Sequence, residues 1–165
     1  ELTLELTTEM LVLSGLSESH PHGLRLAQQA LDSGQALERL GELIEAQGGN
    51  PRIIDNIGLL PQSPHTTVVT APYEGWVACI DARLIGDATV ALGAGRTQRS
   101  DSLDPAAGIE LHAKCGQWVS HDEPWATLYH GPGADLGRAT MKLKAAPSVS
   151  PDKPAAIHLV KERRP

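Results

Sequence analysis

The feature that most constrains this chain is a change of hydrophobic period around residues 58–65, marked by Pro61 and Pro64 and followed by Pro72. Proline fixes φ and has no N–H to donate, so a helix cannot run through this region without loss. Upstream, apolar residues recur three and four apart, as on one face of a helix. Downstream, Thr66-Thr67-Val68-Val69-Thr70 is β-branched throughout, which suits a strand. The chain is therefore expected to be α+β, with a helical segment first and a lobe of short strands and helices after it. The boundary falls between about Gly58 and His65.

Leu2, Leu6, Met10 and Leu13 share a face of the first helix, which Gly15 stops. A second helix is expected from about His20 to Leu31, with Leu24, Ala27, Ala30 and Leu31 inward. A third carries Leu37, Leu40, Ile44 and Gln47 along one side and ends at Gly48-Gly49, since glycine tolerates the left-handed backbone there. Asn50-Pro51 reads as a cap followed by proline at the first position of a short helix. No heptad seam is sustained, so these helices form a small array rather than a coiled coil.

Beyond the prolines, strands are expected at Thr66–Thr70, Trp76–Ile80, Ile109–Ala113, Ala126–Tyr129 and Ala156–Val160. Helices are expected at Ala82–Leu92 and Leu136–Ala145. With aromatic residues at 3% and no Phe, the core must be built from Leu, Ile, Val and Ala. Cys79 and Cys115 are too few for a disulfide framework in a chain of 165 residues. They read as reduced core thiols of a cytosolic protein, and a cytoplasmic location is the expectation. No segment approaches the length of a membrane span, and no signal peptide is seen. The chain opens inside a helical pattern without an initiator Met, which suggests that it begins within a larger protein.

A net charge of -6 without a basic stripe argues against nucleic acid as a partner. The basic run Lys161 to Arg164 reads as a solvated tail. The seven histidines show no ligand spacing, so no metal site is expected. There is no Gly-x-Ser-x-Gly elbow for a hydrolase. Asp81, Asp87, Asp101 and Asp104 read as caps and turn residues around one helix. Met141-Lys142 resembles the dipeptide of carrier domains, which present the lysine at a hairpin tip. Here the lysine falls in an expected helix. Leu92-Gly93-Ala94-Gly95-Arg96 is glycine-rich, and such loops can offer backbone N–H groups to phosphate. It lacks the Lys-Ser/Thr of a P-loop and follows a helix rather than a strand, so by spacing alone it is a structural turn.

A series of segments stands out, in order: Leu4-Glu5-Leu6 to Gly15, Ser33-Gly34-Gln35-Ala36-Leu37-Glu38-Arg39-Leu40, and Glu45-Ala46-Gln47-Gly48-Gly49-Asn50-Pro51. Further along come Tyr73-Glu74-Gly75-Trp76-Val77 with Ile80-Asp81 and Ile85-Gly86, Ala91-Leu92-Gly93-Ala94-Gly95-Arg96, Leu103-Asp104-Pro105-Ala106-Ala107-Gly108-Ile109, and His112 to Val119. Glu123-Pro124-Trp125-Ala126-Thr127-Leu128-Tyr129 closes the series. Together these segments resemble the pyrimidine-nucleoside (thymidine) phosphorylases. The match covers residues 1 to about 131. Cys115, Trp118, His121 and Trp125 depart from the usual pattern, at core or turn positions.

The resemblance implies a homodimeric pentosyltransferase that converts a pyrimidine nucleoside and inorganic phosphate to free base and pentose 1-phosphate. No cofactor is implied, and no nucleic acid or membrane partner. Residues 1–60 would be the last helices of the helical domain. Residues 66–165 would be the C-terminal α/β lobe, biotinyl/lipoyl-like in part. The family's phosphate- and base-binding residues lie earlier in the chain, so no catalytic residue maps here, and the fragment is expected to be inactive alone. The two glycines beside two arginines suggest that Gly93, Gly95, Arg96 and Arg99 form a mobile loop facing the interdomain cleft. Thymidine or uridine preference stays open, as does a purine- or AMP-directed relative. The alternative is a stand-alone, non-enzymatic binding or carrier module on a lipoyl-like fold.

Overall fold

The structure is a computed structural model that describes residues 1–96, 98–99, 101–156 and 160. The chain forms two compact units, one spanning Glu1–Leu60 and the other beginning at Pro61.

The first unit holds α1 (Leu2–Leu13), α2 (His20–Asp32) and α3 (Gln35–Ala46), followed by two 3₁₀ turns at Pro51–Ile54 and Ile57–Leu59. The stops are those expected: Gly15, Gly34 and Gly48 all have positive φ, which glycine adopts without a Cβ penalty. Asn50 caps the first 3₁₀ turn, its side chain accepting the Arg52 N–H at 3.1 Å. Helices α1 and α2 cross closely because α2 offers Gly23 at the contact. A Cβ there would stand 3.2 Å from the Thr8 methyl. Coverage of the apolar positions is thinner than the pattern suggested. In α2 only Gly23 and Ala27 are buried, and in α3 only Gly41, while Leu31, Leu37 and Leu40 stay exposed.

The second unit contains β1 (His65–Thr70), β2 (Gly75–Ile80), α4 (Ala82–Ala91), β3 (Gly108–Leu111), β4 (Trp118–Val119), β5 (Pro124–His130), α5 (Leu136–Ala145) and β6 (Pro147–Ser150). Two three-stranded sheets result, ordered β1-β5-β3 and β4-β2-β6, with every pair antiparallel. One core cluster takes side chains from both sheets and both helices, including Val69, Val77, Leu92, Trp125, Leu128 and Leu143. Trp125 is fully buried in that core.

The class is α+β, as expected, and α4 and α5 fall where the pattern placed them. Strands β4 and β6 were not foreseen. Of the strand expected at Ala156–Val160, Ile157 to Leu159 lie outside the described residues, as does the tail Lys161 to Pro165, and Ala156 and Val160 are not in a strand. The cysteines require a correction, because both are exposed. The register of β2 shifts between Val77 and Cys79, which breaks the in–out alternation and turns Cys79 outward. Cys115 sits in a turn closed by the Gln117 N–H donating to the Lys114 carbonyl at 3.0 Å, with Gly116 at φ 84°.

Candidate functional site

The glycine-rich loop leaves the end of α4. The Gly93 N–H donates to the Val90 carbonyl at 3.0 Å and the Ala94 N–H to the Thr89 carbonyl at 3.1 Å, so the loop peels off the last helical turn. Gly93 has φ 99°, a conformation that favours glycine. Gly95 is required for another reason: a Cβ there would stand 2.5 Å from the Val90 Cγ2.

Two aspartates hold the loop in shape. The Asp104 N–H donates to the Gly93 carbonyl at 2.9 Å, while its carboxylate accepts the Ala106 N–H at 2.9 Å. The Asp101 carboxylate accepts the Gln98 N–H at 2.9 Å. Asp81 caps α4 by accepting the Arg83 N–H at 2.8 Å and the Leu84 N–H at 3.2 Å. The reading of these three as caps and turn residues holds. Asp87 instead pairs with Lys142 across α4 and α5 at 3.4 Å. Lys142 is thus a helix residue in an ion pair, not a lysine at a hairpin tip.

The loop lines a cavity of about 380 Å³ together with the turn Gly131–Ala134. The two segments approach closely: a Cβ on Gly131 would stand 3.1 Å from an Asp104 carboxylate oxygen. Of the four residues singled out in sequence, Gly93 and Gly95 form part of the cavity wall, whereas Arg96 and Arg99 are exposed and do not line it. The wall carries the acids Asp101 and Asp104, which disfavour an anion inside the cavity, since like charges repel strongly away from bulk water. An anion would instead meet this loop through the exposed guanidinium groups, whose planar forks suit phosphate. The Gly131-Pro132-Gly133 turn was overlooked as a partner of the loop. Its composition marks a turn but carries no sign of what packs against it.

Three of the histidines hold neighbouring hydroxyls or carbonyls in place. His130 is buried, with Nδ1 3.1 Å from the Gly131 carbonyl and Nε2 3.0 Å from the Thr67 hydroxyl. His112 bonds the Thr127 hydroxyl at 2.8 Å, and His22 lies 3.1 Å from that of Ser17. Among the described residues no group of three or more His, Cys, Asp or Glu is placed to hold a metal ion. None of their helices is long and apolar enough to cross a membrane.

Residues 76–150 match the family described as Pyrimidine nucleoside phosphorylase C-terminal domain. The pyrimidine-nucleoside phosphorylase of Staphylococcus aureus (strain bovine RF122 / ET3-1) is 33% identical over 162 residues, covering 97% of this chain and 37% of the relative. The thymidine phosphorylase of Burkholderia cenocepacia (strain HI2424) is 38% identical over 125 residues, 75% of this chain and 28% of the relative. The pyrimidine-nucleoside phosphorylase of Bacillus subtilis (strain 168) is 36% identical over 129 residues, 78% of this chain and 30% of the relative. The chain therefore spans between 28% and 37% of the length of these relatives.

Proposed function

We propose that the chain is the C-terminal part of a phosphorylase acting on pyrimidine nucleosides, because its residues 76–150 match the pyrimidine nucleoside phosphorylase C-terminal domain family. In the complete protein the bond from C1′ of the sugar to the base breaks, phosphate takes the base's place on C1′, and the base leaves with a proton. Charge develops at C1′ as the bond loosens, and clamping of phosphate and base supplies most of the catalysis. The observation that carries this reading is the 97% coverage of the chain by its similarity to the Staphylococcus aureus enzyme.

On this reading the catalytic groups belong to the rest of the polypeptide, and residues 1–165 alone turn over nothing. The complete protein is a cytoplasmic homodimer that uses inorganic phosphate as co-substrate and needs no cofactor. The carrier-module alternative loses its support, because Lys142 lies in the last turn of α5, paired with Asp87.

Within this reading the loop Gly93–Arg99 faces the cleft and Arg96 meets phosphate. In the complete enzyme, Arg96→Ala is expected to cost about tenfold in kcat/KM, near 1.4 kcal/mol, chiefly through a higher KM for phosphate. Phosphorolysis of thymidine and uridine at varied phosphate measures it. Unchanged constants would remove the loop from the reaction. Absence of any phosphorolysis by the complete protein would remove the family function itself.

A further inference from the structure

The chain holds two cysteines, and both are free and exposed. The hydrogen bonds of β2 bring them to one end of one sheet. The β2–β4 ladder pairs Gly75 with Val119 and Trp76 with Trp118, and the two tryptophan rings meet edge to face at 5.7 Å. Two further bonds extend the pairing. The Val77 N–H donates to the Gln117 carbonyl at 2.9 Å, and the Gly116 N–H donates to the Val77 carbonyl at 2.8 Å. Cys115 is the residue before Gly116. On the other side of β2, β6 pairs Trp76 with Ser150 and Cys79 with Ser148, two residues apart on one strand. Cys79 therefore shares the face of Trp76, since alternate side chains of a strand point the same way. The Val77 carbonyl oxygen is the common centre of the two cysteines. Bond lengths alone keep the Cys115 Cα within about 6 Å of it and the Cys79 Cα within about 7 Å. A disulfide spans Cα atoms about 4.4–6.8 Å apart, a separation that these two distances allow.

We propose that Cys79 and Cys115 are a redox-active pair, which a low-molecular-weight disulfide converts to an intramolecular disulfide. One thiolate attacks the S–S bond of the reagent, forms a mixed disulfide and releases one reagent thiol. The second thiolate attacks the protein sulfur of that mixed disulfide, forms the Cys79–Cys115 bond and releases the second reagent thiol. The protein thiols give up two protons and two electrons, and the reagent disulfide takes them up as two thiols. No third thiol of this chain competes. The segment between the two cysteines carries α4, Gly93 and Gly95, the cavity acids Asp101 and Asp104, and β3. Oxidation ties the two ends of that segment together, and reduction releases them. The inference concerns the chain's own thiols and stands whether or not the complete protein carries out phosphorolysis.

The test incubates the reduced 165-residue chain with oxidised glutathione, blocks the remaining thiols with iodoacetamide and weighs the intact protein. The expected product is a monomer two hydrogens lighter, without alkyl groups, in which peptide mapping joins Cys79 to Cys115 and dithiothreitol restores both thiols. Cys79→Ser and Cys115→Ser should each carry one glutathione instead, which shows that both thiols are reached. In urea the internal disulfide should lose at least about tenfold against the mixed disulfides, because unfolding lowers the effective concentration of each thiol at the other. The oxidised chain should melt several degrees above the reduced one, since the closed loop restricts the unfolded state. A wild-type chain that carries two glutathiones or two alkyl groups overturns the pair, as does a disulfide-linked dimer. An internal disulfide formed equally well in urea, or one that lowers the melting point, also overturns it, because the folded structure would then not hold the thiols together.

Discussion

Tyr73 is half-buried, but its hydroxyl is shut away from solvent and meets no hydrogen-bond partner in the structure. Its ring stands edge-on to Trp125, with centroids 6.3 Å apart, and the Trp125 indole N–H is likewise buried without a partner. Burial disfavours the phenolate and pushes the Tyr73 pKa from 10.0 up to about 12. The folded protein therefore holds this proton more tightly than the unfolded chain does. The stability linked to it is whole below pH 10 and is lost as the pH rises to about 12. Tyr129 adds to the same alkaline loss, because its hydrogen bond to the Glu110 carboxylate, at 2.8 Å, raises its pKa as well. Tyr73→Phe removes an unsatisfied hydroxyl and keeps the ring. It should be neutral to about 1 kcal/mol stabilising at pH 7. It should also flatten, but not abolish, the fall of denaturation free energy across that alkaline window. Urea melts at stepped pH would show this, and a destabilised variant at pH 7 would mean that the hydroxyl has a partner after all.

Strand β2 depends on its first residue. Gly75 has φ 146°, and a Cβ there would stand 2.9 Å from the Ser150 carbonyl oxygen, on the backbone of β6. Gly75→Ala therefore combines an unfavourable backbone with a contact that no rotamer relieves. It should cost about 2 kcal/mol or more and lower the melting point of the strand unit by several degrees. A melting point unchanged from wild type would mean that β6 yields freely. The helices were legible before the structure because caps and stops are local. Gly48 with Asn50-Pro51, and Asp81 before Ala82, each act within a few residues. Strand β4 was not, since its two residues, Trp118 and Val119, are too few to show a period. Cys79 was misread because the shift after Val77 reverses the facing of the later residues of β2, and no alternating pattern announces a bulge. The candidate loop was half legible. Gly93 and Gly95 marked its place, whereas the turn Gly131–Ala134 that completes the cavity comes from far along the chain.

Taken whole, the molecule is unequal in its interior. The core cluster lies entirely in the second unit, whereas Ala27 is the one buried apolar residue of Glu1–Leu60. Leu2, Leu6, Met10 and Leu13 of α1 are exposed, and so are Leu37, Leu40 and Leu43 of α3, at 48%, 47% and 53%. Buried apolar area is the main source of folding free energy, at about 25 cal/mol per Å². The helical unit should accordingly open first. Hydrogen exchange in α1 to α3 is expected to run at least about tenfold faster than in β5, with two calorimetric steps rather than one. Exchange at one common rate would mean that the units unfold together. The placement of Trp76, Trp118 and Trp125 has a consequence of its own. With Tyr73 and Tyr129 they are all the aromatic residues of a chain without Phe, and every one lies beyond Pro61. Fluorescence and the near-ultraviolet spectrum therefore watch the strand unit alone. The amide bands of the far ultraviolet are dominated by the helices, most of whose residues lie in α1 to α3, so an unmodified sample carries one optical gauge for the strand unit alone and a second weighted towards the helical unit.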